Sequence, residues 1–311
     1  MKVQHIRKTH KKTIRNQGKP RSIASILFSW FVKFVFCGIL LFVFAIFAAP
    51  YVFDERLEVT RISLTTEKTL HWPVRIALIT DLHGAAFGAH QEELLSKIKT
   101  EEPDFVALVG DIFGTGDTEK ETEDLIQGLL ADGYPIYYVS GNAEFESKRI
   151  EAIKESLVAR AITVLDGHTS VYTRERYGFT DRISISGVDD PENPIENTVF
   201  QLKRAYSEVT DLDDYKILLA HRPELIDEYL KFPYDLILSG HAHGGQWRIP
   251  RLLENGFYAS GQGFFPSLTG GVSRRDKTDL VISRGLSGRL SVEVPRIFNR
   301  PELVIIEIKK Q

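Results

Sequence analysis

Seven side chains of metal-ligating type stand just past the ends of five apolar runs. Val74 to Thr80 (VRIALIT) runs into Asp81-Leu82-His83, and Phe105 to Val109 runs into Gly110-Asp111. Pro135 to Ser140 leads to Gly141-Asn142, Lys216 to Ala220 to His221, and Leu236 to Ser239 to Gly240-His241-Ala242-His243. Two carboxylates, one amide and four imidazoles make a mixed oxygen and nitrogen donor set, which suits first-row metals such as Mn, Fe or Zn. A carboxylate can bridge two cations and offset their charge, so this set is sufficient for two ions. Two such ions acidify a water and clamp a phosphate for in-line attack. Singly, each residue has a plainer use: Asp81 or Asp111 as a helix cap, Asn142 as a turn residue after Gly141, His221 as the cap of a strand end. Their joint occurrence points to metal-dependent phosphoester chemistry.

The elements that must position them follow from the pattern. Short runs rich in Val, Ile, Leu and Tyr read as buried strands, and groups just beyond the carboxyl ends of such strands lie where open α/β sheets place their sites. Residues 57–66 alternate as a strand. Gln91 to Thr100 has helical spacing and stops before Pro103. Thr118 to Leu130 and Ser147 to Ala159 are further helices, and alternation of this kind predicts layered α/β structure. In the second half, strands are expected over 161–165, 169–172, 182–185, 280–282 and 303–308, with helices over 199–206 and 224–230. The expected architecture is a four-layer α/β/β/α sandwich of two mixed sheets with flanking helices, preceded by one N-terminal transmembrane helix. Residues 251–279 read as a long loop beside the site. Its Phe257, Tyr258, Phe264 and Phe265 are equally consistent with receiving acyl chains or meeting a bilayer and with simple packing.

The succession Asp-x-His, Gly-Asp, Gly-Asn, His, Gly-His-x-His resembles the calcineurin-like metallophosphoesterase superfamily. Leu219-Ala220-His221-Arg222-Pro223-Glu224, Gly244-Gly245-Gln246, Ser283-Arg284-Gly285-Leu286 and Arg300-Pro301-Glu302 look like its membrane-associated branch, which includes the bacterial YkuE and YaeI proteins. The likeness covers roughly residues 57 to 309. It implies that Asp81, His83, Asp111 and His243 hold one metal and that Asp111, Asn142, His221 and His241 hold the second, with Asp111 bridging. It also implies that Asp111, Asn142 and His241 act at the reacting centre, with two divalent ions, Mn first among Mn, Zn and Fe. One departure stands out. The family has a His directly after the Asn that approaches the phosphate and assists the leaving group, whereas this chain reads Gly141-Asn142-Ala143-Glu144. His5, His10, His71, His90 and His168 lie outside the pattern and are assigned ordinary roles.

Charge and hydropathy set the location. Of 39 bases and 42 acids, the first 54 residues hold nine and one, which leaves 30 against 41 in the remainder. An acidic globular part argues against nucleic acid as a partner. Phe34 to Phe53 is an uncharged stretch of twenty residues, extended by Ile23 to Val32, and about 20 apolar residues span a bilayer. Ala48-Ala49 is a poor cleavage site, with bulky Phe47 before it and Pro50 after it. The expected organisation is a basic cytoplasmic tail (1–22), a membrane anchor (23–54) and a phosphoesterase domain (55–311). Eight bases through Arg21 with no acid place the N-terminus in the cytoplasm and the domain outside the plasma (inner) membrane. The sole cysteine, Cys37, falls in the apolar span, so the domain has no internal disulfide.

These readings converge on a membrane-anchored phosphodiesterase or pyrophosphatase whose phosphoester substrate is lipid-linked or envelope-derived. Two alternatives remain: a UDP-diacylglucosamine-type pyrophosphatase of lipid A synthesis, and a non-catalytic metal-binding membrane sensor or scaffold. A Gly-x-Ser-x-Gly elbow is absent from the chain, which disfavours a serine hydrolase.

Overall fold

A computed structural model describes residues 22–114, 119–288 and 295–311. The expected basic tail lies outside these residues except for Ser22, as does Thr118 at the start of an expected helix. The chain divides into two units, 1–50 and 51–311. The first contains all but the last two residues of one helix, α1 (Ile23–Val52), which carries a single charge, Lys33, and is apolar enough to cross a membrane; Tyr51 and Val52 belong to the second unit. The 30 residues of α1 extend about 45 Å at 1.5 Å per residue, more than the ~30 Å of hydrocarbon that a bilayer presents.

The second unit alternates strands and helices through its first half: β1 (Glu58–Thr66), β2 (Val74–Ile79), α2 (Glu92–Glu101), β3 (Phe105–Val109), α3 (Glu119–Ala131), β4 (Ile136–Val139), α4 (Asn142–Glu146), α5 (Ile150–Ala159) and β5 (Thr163–Val164). The second half comprises β6 (Thr169–Arg176), β7 (Phe179–Gly187), α6 (Thr198–Ser207), β8 (Tyr215–Leu219), α7 (Ile226–Tyr229), β9 (Leu236–Ser239), a small hairpin of β10 (Tyr258–Ala259) and β11 (Gly263–Phe264), then β12 (Gly271–Arg275), β13 (Thr278–Ile282) and β14 (Glu302–Lys310). One six-stranded sheet has the order β1-β14-β2-β3-β4-β5, and the other has β12-β13-β9-β8-β7-β6. Both are mixed. β2 through β5 run parallel while β14 is antiparallel to β2, and β7-β8-β9-β13 run parallel while β6 and β12 are antiparallel edges.

Period-two burial on both faces of the strands generates the layers. Ile76 and Leu78 of β2 point into the space between the sheets, where they meet a cluster containing Ile217 and Leu219 of β8. Ala77 and Ile79 point the other way, into a cluster with Leu94 and Ile98 of α2 and Leu125 and Leu129 of α3. Beyond the second sheet, Leu218 and Ala220 join a cluster with Leu202 of α6 and Tyr229 of α7. Three apolar seams therefore separate four layers, as the sequence predicts. Each fully buried Leu or Ile side chain contributes about 1.5–3 kcal/mol.

The structure departs from expectation in two places. The helix expected over 147–159 begins only at Ile150, as α5, because Lys148 takes a left-handed backbone (φ 59°), and the short α4 before it was not expected. The loop expected over 251–279 contains β10, β11 and β12 and the start of β13. β12 is mostly exposed and rich in polar side chains, so no apolar alternation announced it.

Candidate metal centre

Every ligand candidate leaves the carboxyl end of a parallel strand. Asp81 and His83 follow β2, Asp111 follows β3, Asn142 opens α4 after β4, His221 follows β8, and His241 and His243 follow β9. Hydrogen bonds between strand ends lock the loops together. Asp81 N–H donates to Gly110 O (3.0 Å), Gly110 N–H to Val139 O (3.0 Å), His83 N–H to Asp111 O (3.1 Å) and Gly240 N–H to His221 O (3.0 Å). His241 N–H reaches both carboxylate oxygens of Asp81 at 3.1 Å and so joins the two sheets at the site.

Five of the seven residues adopt left-handed backbone: Asp81 (φ 51°), His83 (45°), Asp111 (54°), His241 (64°) and His243 (45°). Such conformations cost roughly 1–3 kcal/mol each and persist where surrounding structure imposes them, typically at functional sites. The glycine before a candidate ligand is needed for space. At Gly141 a Cβ would lie 2.2 Å from Asp111 Oδ1, and at Gly110 (φ +76°) 2.4 Å from His221 Nδ1.

The side chains converge in two groups that share one carboxylate. Asp81, His83, Asp111 and His243 place donor atoms within 4.8 Å of one another, and so do Asp111, His221 and His241. Asn142 stands beside the shared group, since the neighbouring Ala143 N–H donates to Asp111 Oδ1 (2.8 Å). Asp111 Oδ2 lies 3.3 Å from both His83 Nε2 and His221 Nε2. Outer contacts orient the rings: His221 Nδ1 lies 2.8 Å from Val109 O, and His243 Nδ1 2.8 Å from Ser287 Oγ. A backbone carbonyl only accepts, so His221 keeps its proton on Nδ1 and turns Nε2 inward, a tautomer suited to ligation.

The donors fit a pair of cations. His83 Nε2, His221 Nε2, both nitrogens of His241 and Asn142 Oδ1 are buried without a hydrogen-bond partner. Buried polar atoms are almost always satisfied, so partnerless nitrogens on His83, His221 and His241, three members of the two donor groups, mark a ligand site. The charge balance agrees. Burial would raise the Asp111 carboxyl, yet His221 and His83 hold it well below the usual range. Burial also opposes protonation of His221, but Asp111 and Asp81 push its ring up to about 10. Burial and the facing His221 depress His241 to about 3, leaving its ring neutral and free to ligate. The protonated His221 offsets the two carboxylates here, as a cation would.

Two further residues belong to this place. Glu144 is fully buried and accepts four backbone N–H groups: Asp111 (2.9 Å) and Gly141 (2.8 Å) on Oε2, Ile112 (2.8 Å) and Phe113 (3.1 Å) on Oε1. It stitches the loop after β3 to the loop after β4. Burial and the nearby Asp111 raise it to about 7. Glu224 places Oε1 3.7 Å from His241 Nε2. The remaining histidines pair elsewhere: His71 with Asp181, His90 with Asp124 and His168 with Glu208. His5 and His10 lie outside the described residues.

Comparison with known proteins agrees with this geometry. The calcineurin-like phosphoesterase family matches residues 74–245. YpbG of Bacillus subtilis is 30% identical over 57% of this chain and 64% of its own length. A transmembrane protein with metallophosphoesterase domain from Danio rerio is 28% identical over 56% of this chain and 41% of its own. The UDP-2,3-diacylglucosamine pyrophosphatase LpxG of Chlamydia muridarum is 25% identical over 88% of this chain and 98% of its own. The chain thus spans less than two thirds of the first two relatives and nearly all of the third. It belongs to the calcineurin-like phosphoesterase family, whose members are phosphoester hydrolases that use a dinuclear divalent metal centre.

Proposed function

We propose that this protein is a membrane-anchored phosphoesterase that hydrolyses a phosphodiester or pyrophosphate bond in an amphiphilic, lipid-linked or envelope-derived substrate. The observation that carries the reading is the single Asp111 carboxylate shared by two groups of metal-ligating side chains, in which His83, His221 and His241 keep nitrogens without a hydrogen-bond partner. In this reading Asp81, His83, Asp111 and His243 hold one divalent ion, and Asp111, Asn142, His221 and His241 hold the other, Mn being the first candidate for mixed nitrogen and oxygen ligation. When bound, such a pair supplies Lewis acidity to the phosphoryl group and acidifies a water.

The chain's own residues do the rest. Val109 O and Ser287 Oγ fix the rings of His221 and His243, and Glu144 holds the backbone from which Asp111 and Asn142 project. Ala143, buried where the family resemblance implies a His, can donate no proton to a departing oxygen. A leaving group that departs as an anion needs no such help: a phosphate of pKa ~6 qualifies, whereas an alkoxide forgoes a general-acid contribution of about 10²–10⁴-fold. This favours a pyrophosphate or an activated ester. The full-length similarity to a UDP-diacylglucosamine pyrophosphatase supports the same bond type, but a nucleotide substrate is cytosolic, while the basic N-terminus favours an external domain on the inner membrane.

Purified full-length protein with Mn²⁺ is expected to hydrolyse an activated aryl phosphodiester, and an alkyl diester far more slowly. Chelator, or Asp111→Asn, should lower the rate by ~10²-fold or more, since a neutral amide cannot bridge two cations. Two bound metal ions without turnover on either ester would replace the enzyme reading with a metal-binding sensor.

A further inference from the structure

The segment after His243 carries an apolar surface that the described residues leave uncovered. Trp247, Ile249, Leu252, Phe264 and Phe265 are exposed, Leu252 by 80%, Phe265 by 69% and Phe264 by 66%. Half-buried Phe257 gathers three of them: its ring stacks on Trp247 (6.0 Å, 15°) and contacts Phe264 (5.2 Å) and Phe265 (5.3 Å), while Leu252 N–H donates to Ile249 O (3.0 Å) in the turn that follows Trp247. Isolated exposed apolar residues are ordinary, but contiguous aromatic ones mark an interaction surface.

Two connections say what covers it. The first leads to the start of the globular unit. Trp247 bridges to Ile297, Arg248 N–H donates to Ile297 O (2.9 Å), and Phe298 N–H donates to Val52 O (2.8 Å), the last residue of the apolar helix. Tyr51, next to it, is exposed as well. The patch is thus two hydrogen-bonded steps from the point where the chain emerges from α1. The second leads to the metal centre, because Phe257 N–H donates to Gly245 O (2.9 Å), two residues beyond His243. Exposed Arg251 lies within the patch, where a cation suits anionic headgroups. Trp beside Phe and Leu, with an interspersed Arg, is the composition of surfaces that settle at the bilayer interface.

We propose that this aromatic platform docks onto the lipid bilayer, so that the metal centre faces phosphoesters lying at headgroup depth. The proposal rests on the anchoring reading of α1 and narrows the substrate class to membrane-resident amphiphiles.

The test uses full-length protein in phosphatidylcholine/phosphatidylglycerol vesicles, with one environment-sensitive fluorophore per molecule and doxyl-labelled lipid as quencher. Native Cys37 reports the anchor itself. In a Cys37→Ser background, Leu252→Cys and Phe264→Cys report the platform, and Tyr177→Cys reports an exposed aromatic position away from it. Metal-dependent hydrolysis of a soluble aryl diester shows that each variant is folded. Labels at 252 and 264 are expected to lose at least half their emission to lipid quencher, as does Cys37, while the label at 177 keeps its own. Quenching at Cys37 with positions 252 and 264 no more quenched than 177 would overturn docking and leave anchoring intact. No quenching at Cys37 would overturn both.

Discussion

The carboxylates around His221 favour a proton on its ring, where a metal is expected. With Asp111 and Asp81 beside it, His221 is held up at about 10 against an ordinary 6.5. In the metal-free protein this interaction stabilises the fold fully below pH 6.5 and is lost as the pH climbs through about 10. A cation on Nε2 must displace that proton, so apparent affinity for Mn²⁺ should rise about tenfold per pH unit below the raised pKa. Titration calorimetry at pH 7.5 in two buffers of different ionisation enthalpy checks this. The heats should differ by about one proton's worth, and identical heats would show that no proton leaves His221 when the metal binds. At this scale much was legible, because a ligand's identity is written in its side chain. Glu144 and Ser287 were not: one serves the site through backbone amides, the other through a ring nitrogen contributed from 44 positions away.

Strand ends are what make those residues a site. The five apolar runs were recognisable because β2, β3, β4, β8 and β9 are buried on both faces, leaving almost unbroken apolar sequence. By contrast, α4 starts on a candidate ligand and lasts five residues, too few for a periodicity to show. Its importance lies in Glu144. Replacing it in Glu144→Gln presents an NH₂ group to two N–H donors that now share one carboxylate oxygen. Leaving buried donors unpaired costs about 1–3 kcal/mol, and support of this kind is worth about 10–100-fold in metal affinity. Urea unfolding and Mn²⁺ titration of the variant should both move. A loss of stability with unchanged affinity would make Glu144 a purely structural stitch. β10, β11 and β12 stayed hidden for a different reason: two have two residues each, and the third is an exposed edge.

For the whole molecule, the candidate metal centre spans the two sheets, since Asp81 and Asp111 follow strands of one and His221, His241 and His243 follow strands of the other. Cations bound across that seam stabilise only the folded state. At a concentration of 100 times Kd the gain is about 2.7 kcal/mol per ion, or several degrees in Tm for a domain of this size. Calorimetry with Mn²⁺ against chelator reads it, and coincident melting curves would deny a site spanning both sheets. The first sheet also carries a delay in time. β14 lies between β1 and β2, and Glu302 accepts from Thr60 Oγ1 across 242 positions of sequence. Until β14 arrives, β1 has no neighbour in its sheet, and contacts this distant in sequence slow folding. A nascent chain lacking residues 302–311 should therefore stay protease-sensitive and loose. With the proposed external location, that loose state is the one in which the chain would thread through the membrane before the domain closes.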